Sequence, residues 1–358
     1  LKFTSVKFLL WLIISLVAEK AFANIDTLKK LTFSAYAEFY YSYDFSNPPN
    51  NEKQNFLYNH KRHNQLNANL LLARANYYSK IIRANIGIMA GNYPYYNLSS
   101  EPAWAKPIYE ANLGIKLFNQ KNIWVDAGVF PSHIGFESAI SADCWTLTRS
   151  VLAENSPYYE SGVKVSYTAK NERIFLSALY LNGWQKIQRP SAIRQPSFGL
   201  QATLKPSSKI MLNYSNFIGT DKPDSVKAFR HFHNFYLQFE PTQNFGIIAG
   251  FDIGFEKTLN NPYSNWYSPV IIVKQRISNN MSVALRAEYY NDKEEVIIIT
   301  QTPNGFRIYG FSTNFDYNLT PKMKLRIEGK WYNARDRIFA NNTAQNNHTI
   351  TTNFTIKL

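Results

Sequence analysis

Apolar and polar residues alternate one by one through most of this chain, and no other feature of the sequence constrains its fold as tightly. In residues 245–256, Phe245, Ile247, Ala249, Phe251, Ile253 and Phe255 share one parity, while Gly246, Gly250, Asp252, Gly254 and Glu256 share the other. A period of two marks an extended strand whose two faces meet different surroundings. The pattern returns in residues 82–90, 109–118, 123–129, 160–167, 281–289, 323–331 and 350–358. Between such segments, short polar turns such as Asn119–Asn122, Ala169–Glu172 and Pro206–Lys209 take turns with much longer polar stretches.

Counting these segments gives sixteen strands, joined by seven short turns and eight long loops. Fourteen is the alternative if one region has been divided once too often. Short connections on one side and long ones on the other characterise single-chain barrels of the bacterial outer membrane. The expected fold is therefore all-β: a transmembrane antiparallel β-barrel with short periplasmic turns and long extracellular loops. Closure into a barrel also pairs every backbone N–H and C=O, which lipid requires. In the second strand, at 66–78, the alternation slips midway, as at a β-bulge.

Composition separates this fold from its competitors. Aromatic residues make up 16%, yet mean hydropathy is only −0.32. Beyond the N-terminal leader no run approaches the length of a helical span, which excludes a helical membrane protein. A soluble sandwich would put Arg83, Lys116, Asp126, Arg286, Lys324 and Arg326 on a solvated outer face. Against it, Tyr109, Tyr167, Tyr289 and Trp331 gather toward segment ends on the apolar faces, as interfacial girdles do.

The first residues assign the compartment. Lys2 and Lys7 precede an apolar run at 8–18, and Ala21-Phe22-Ala23 forms a small-x-small cleavage site. Residues 1–23 are thus expected to be a signal peptide, with the barrel at 24–358. The net charge of +14 invites nucleic acid as a partner. The cations are dispersed singly along strands of an exported chain, however, and no nucleic-acid role is expected. One cysteine, Cys144, leaves no intramolecular disulfide framework.

One stretch, residues 131–162, departs from the alternation. It carries Glu137, Asp143, Trp145, Arg149 and Glu154 together with Cys144, with no sustained period. By position it is the third long loop, near 132–158, and it is long enough to fold inward as a constriction. Glu137, Asp143 and Glu154 would then face wall cations across a narrow point. By parity the lumen wall carries Arg83, Lys116, Asp126, Lys164, Asp252, Arg286, Glu288, Lys324, Arg326 and Glu328. Cations slightly outnumber acids on that face, so weak anion preference is expected.

Catalytic and metal chemistry find little support. His60 with His63, and His231 with His233, are close enough in sequence to share a metal, but no further ligand set accompanies them. They read better as rim residues. No nucleophile-elbow, zinc-protease or phosphate-loop pattern occurs, so no enzyme, cofactor or metal is expected.

At the special loop, Glu137-Ser138-Ala139, then Trp145 with Thr148-Arg149-Ser150, then Pro157-Tyr158-Tyr159 with Gly162-Val163, resemble the OmpL-like β-barrel porins of Gram-negative outer membranes. The specific likeness covers about 30 residues; the architectural one covers nearly the whole mature chain. The resemblance implies an outer-membrane porin. The sequence departs from barrels of this kind at Leu358, where an aromatic usually ends the last strand, and this bears on assembly efficiency.

Sixteen strands enclose a lumen that side chains cannot fill. The expected role is passive diffusion of small hydrophilic solutes or ions through a water-filled barrel in outer-membrane lipid, with a homotrimer as one available assembly. The competing role is a non-conducting barrel serving adhesion or a partner complex. A transporter of hydrophobic solutes would need an N-terminal plug, and only residues 24–30 stand between the expected cleavage site and Leu31.

Overall fold

The computed structural model describes residues 30–226, 228–257 and 263–358. The expected signal peptide lies outside the described residues. Sixteen strands close into one antiparallel barrel, each paired with its neighbours in sequence and the first with the last. They are β1 (Leu31–Asp44), β2 (Leu66–Tyr78), β3 (Ile82–Ala90), β4 (Ile108–Lys116), β5 (Ile123–Pro131), β6 (Tyr159–Thr168), β7 (Ile174–Leu181) and β8 (Ser197–Ser207). The second half comprises β9 (Ile210–Gly219), β10 (Arg230–Phe239), β11 (Phe245–Glu256), β12 (Ser264–Arg276), β13 (Met281–Asp292), β14 (Phe306–Thr320), β15 (Met323–Ala334) and β16 (Asn346–Lys357). Pairing of Tyr36 with Lys357 through Asp44 with Thr349 seals the seam and leaves no free edge.

The wall is uneven. β3, β4 and β5 are 9 residues long and β7 is 8, whereas β11 to β16 run from 12 to 15. The long connections, L1 (45–65), L2 (91–107), L3 (132–158), L4 (182–196), L5 (220–229), L6 (257–263), L7 (293–305) and L8 (335–345), all leave one end. L2 carries the short helix α1 (Asn92–Asn97) and L3 the single turn α2 (Val151–Glu154).

Alternation sorts the faces as the periodicity requires. Leu113, Ile115, Val163, Val165, Leu285 and Ile327 are exposed on the outer wall, where lipid would meet them. The slip in β2 is a bulge: Glu38 opposes Leu70 and Phe39 opposes Ala68, so Asn69 is the extra residue. A second bulge changes an expectation. Gly87 opposes Glu110 and Ile88 opposes Ile108, leaving Tyr109 unpaired. The extra residue turns Tyr109 out of the girdle and into the interior, where Arg74 lies 5.7 Å from its ring.

Candidate functional site

L3 starts from the low side of the wall. Its root is fixed by His133, buried between β6 and β9: Nδ1 is 2.7 Å from Glu160 and Nε2 is 2.7 Å from the Asn216 carbonyl. Gly199 leaves the space the ring occupies, since a Cβ there would lie 2.6 Å from Nε2. Gly135, at φ +86°, turns the chain, and its N–H donates to Asn234, whose amide in turn donates to Asp252 at 2.6 Å.

From there L3 descends across the barrel to the strands opposite its root, eight positions around the ring. The glycines on the inner face of β11 provide the track. Phe136 rests on Gly250 and Trp145 on Gly246, each ring atom 2.5 Å from where a Cβ would stand. Lys274 lies 5.9 Å from the Trp145 ring.

A loop inside a barrel buries backbone groups that must find partners, and here charged wall residues supply them. On β15 every second residue points inward, and these residues meet L3 in sequence. Lys324 donates to the Ala142 carbonyl at 3.3 Å. Arg326 donates to the carbonyls of Ser141, Cys144 and Trp145 at 2.7, 3.1 and 3.2 Å. Glu328 accepts the Thr148 N–H at 2.6 Å, and Lys330 donates to the Arg149 carbonyl at 2.9 Å. β13 adds Arg286, which donates to Thr146 Oγ1 and the Thr148 carbonyl, both at 2.8 Å. It also adds Glu288, which accepts the Val151 N–H at 2.6 Å.

The charges are paired at contact. Arg286, fully buried, lies 2.8 Å from Glu328, 3.4 Å from Glu288 and 3.7 Å from Glu137. Glu137 also accepts the Ser150 N–H at 3.1 Å. Asp143, at the tip, meets Lys357 at 2.5 Å beside the short-turn end of the barrel. Glu154 makes no ion pair with a wall cation among the described residues: it accepts the N–H groups of Tyr58 and Asn59 in L1, at 2.8 and 3.2 Å. Two of the three loop acids, Glu137 and Asp143, thus meet wall cations at contact, while Glu154 is engaged by the backbone of L1.

Arg149 has a role the sequence did not signal. Fully buried inside L3, it donates to the carbonyls of Ser138, Leu147 and Ala139 at 2.6, 2.8 and 3.0 Å, tying the two limbs together. Five N–H donors in a rigid fork suit a residue that must satisfy several carbonyls at once. Cys144 sits in the same fold, where burial pushes its thiol pKa up and keeps it protonated.

The wall near the root keeps more of its charge accessible. Arg74 pairs with Glu110 and Arg83 with Asp126, each through Nε at 2.6 Å. Lys164 lies over Phe130 at 4.5 Å, and Lys116 points inward one strand pair away, without an ion-pair partner among the described residues. A cavity of about 180 Å³ adjoins the L3 root between Tyr109 and Phe136.

Two further features were not foreseen. His60 and His63 are buried, not on the rim; His60 Nε2 is 2.7 Å from Glu38, and its N–H donates to the bulged Asn69. His231 and His233 lie on the outer wall instead, and no group of three or more His, Cys, Asp or Glu among the described residues is placed to hold a metal. The long-loop end of the interior is also apolar: Phe56 of L1, Trp184 of L4, Ile298 of L7 and Phe339 of L8 pack with Phe306 and Tyr332 in one cluster.

A closed sixteen-stranded barrel, apolar outside, charged within and crossed by its third long loop, defines an outer-membrane protein of the porin class. Over residues 30–358 the sequence matches the family described as "Putative beta-barrel porin-2, OmpL-like", and the chain belongs to that family. No curated protein matches the sequence.

Solved structures share the fold at low identity. The anion-selective porin from Comamonas acidovorans superposes with a TM-score of 0.61 at 7% identity, covering 92% of this chain and 99% of that one. The channel DcaP of Acinetobacter baumannii gives 0.60 at 9%, covering 92% and 97%. OmpT of Vibrio cholerae gives 0.58 at 10%, covering 92% and 97%.

Proposed function

We propose that this barrel is a porin of a Gram-negative outer membrane, through which small hydrophilic solutes diffuse passively past L3. The observation that carries the reading is the way L3 is held: between Ser141 and Val151 its backbone is bonded at Ser141, Ala142, Cys144, Trp145, Thr148, Arg149 and Val151 to charged side chains of β13 and β15. A loop fixed at so many points narrows the lumen at a constant size rather than flapping over it.

Solutes that pass would then meet the wall carrying Arg74, Arg83, Lys116 and Lys164, with Glu110 and Asp126 as the acids. Cations exceed acids there, which supports weak anion preference. The Comamonas relative in fold bears the description anion-selective, in line with that reading. OmpT of Vibrio cholerae is known in a trimer form, and a homotrimer is the assembly proposed here. The low wall formed by β3 to β7 offers a ready face for neighbouring barrels.

Planar-bilayer recording of the refolded protein, with reversal potential in a salt gradient, tests the reading. Stepwise ohmic currents with an anion-directed potential are expected. Silence from a heat-modifiable, folded barrel would favour the second reading, a non-conducting barrel for adhesion or a partner complex. That reading draws on the apolar cluster through which L1, L4, L7 and L8 cover the long-loop end.

A further inference from the structure

The outer wall is not uniform on its high side. Register places the outward residues of β13 to β16 in cross-strand rows: Tyr289 and Tyr309 with Asn333; then Ala287, Phe311, Trp331 and His348; then Leu285, Thr313, Gly329 and Ile350. The small residues Ala287, Thr313 and Gly329 form the floor of a groove of about 860 Å³, walled by Phe311, Trp331 and Ile350. A Cβ at Gly329 would meet nothing within 4 Å, and Phe311 stacks on Trp331 at 5.7 Å.

One row above the Tyr289–Tyr309 pair, whose rings meet at 4.6 Å, stand two arginines. Arg307 continues the outward parity of β14, and Arg335 adjoins it, its N–H donating to the Arg307 carbonyl at 2.9 Å. They lie about 13 Å along the strands from the Phe311 row. Tyrosine rows mark the level of lipid headgroups, so the arginines sit where headgroup phosphates lie. Arg307 Nε is buried with no partner, and neither arginine makes an ion pair among the described residues. The adjacent Asp336 accepts two bonds from Asn304, at 2.8 and 2.9 Å, and acts on Arg335 only at longer range, without an ion pair.

We propose that this groove binds one anionic lipid of the surrounding leaflet, an acyl chain lying along Gly329 and the phosphate meeting Arg307 and Arg335. Charge argues for a lipid over a second copy of the chain. The outward rows of β12 to β16 hold no carboxylate, so the strands of another barrel docking there through the same face would bring the arginines no counter-charge. A lipid phosphate supplies that charge, and its chain fills the depression that a flat wall would not have.

Trp331 gives the test a built-in reporter. The folded protein would be reconstituted in phosphatidylcholine vesicles doped with brominated-chain phosphatidylglycerol or, at equal mole fraction, brominated-chain phosphatidylcholine. Subtracting Trp331→Phe isolates the Trp331 emission, and heat-modifiable gel migration verifies folding of each variant. The anionic probe is expected to quench Trp331 more strongly. That preference should fall about fivefold for each of Arg307→Gln and Arg335→Gln. Lys257→Gln, elsewhere on the same rim, should leave it intact, and Gly329→Leu should weaken quenching by both probes. Equal quenching by the two lipids in the unaltered protein overturns the proposal. So does an equal loss in Lys257→Gln, which would reveal diffuse surface charge, and so does a Trp331 that neither lipid reaches because a second barrel covers it.

Discussion

Arg286 shows how much one residue can decide inside a barrel. Its guanidinium is the shared counter-charge for Glu137, Glu288 and Glu328, and it also holds two oxygens of Thr148. Arg286→Ala would leave three buried carboxylates short of their cation, a loss of about 3–5 kcal/mol for a broken buried network. Noisier and larger currents are expected, with a lower thermal transition. Unchanged, quiet conductance would mean that L3 is seated by other contacts. We propose that charge selectivity rests with other residues, because Arg286 is enclosed and Lys116 and Lys164 are not. Lys116→Glu with Lys164→Glu is expected to move the reversal potential toward cations. A potential that stays put would remove this wall from the permeation path. The parity of these residues was legible in the sequence. Their partners were not, since Glu137 and Arg286 stand far apart in the chain and meet only when L3 crosses the barrel.

At the level of elements, the strands could be read directly and the loops could not. A strand in a barrel is fixed by local alternation, so β11 and β15 were visible in single windows of sequence. L3 announced itself only by lacking a period. Its track depends on Gly246 and Gly250 of β11 accepting Trp145 and Phe136, a match between segments that no local pattern encodes. Excision of residues 138–155 is expected to raise single-channel conductance; an unaltered value would place the limiting section elsewhere, with the apolar loop cluster the next place to look. Gly250→Leu should displace Phe136 and raise conductance in the same direction while keeping the barrel folded. On the outer face, Phe251→Arg near the middle of β11 should cost about 2–4 kcal/mol, read as a shift in the urea midpoint of refolding in lipid. A neutral result would mean that this face does not meet lipid.

For the molecule as a whole, the sequence determined the barrel. A period of two over nearly every segment, short turns alternating with long ones, and aromatics near strand ends are local properties. Lipid leaves such segments one solution, a closed sheet with every backbone group paired. Strand number and topology followed from counting, and the bulge in β2 from a slip in phase. What fills the barrel was decided only by tertiary structure. Tyr109 looked like a girdle residue until an unpaired position turned it inward, and His60 looked like a rim residue until L1 carried it down to Glu38. Glu154 was expected opposite a wall cation and instead holds the backbone of L1. Alternation says which face a residue is on, because neighbours in sequence fix that face. It cannot say which distant residue stands across the lumen, because that depends on the closure of sixteen strands and on where a long loop comes to rest.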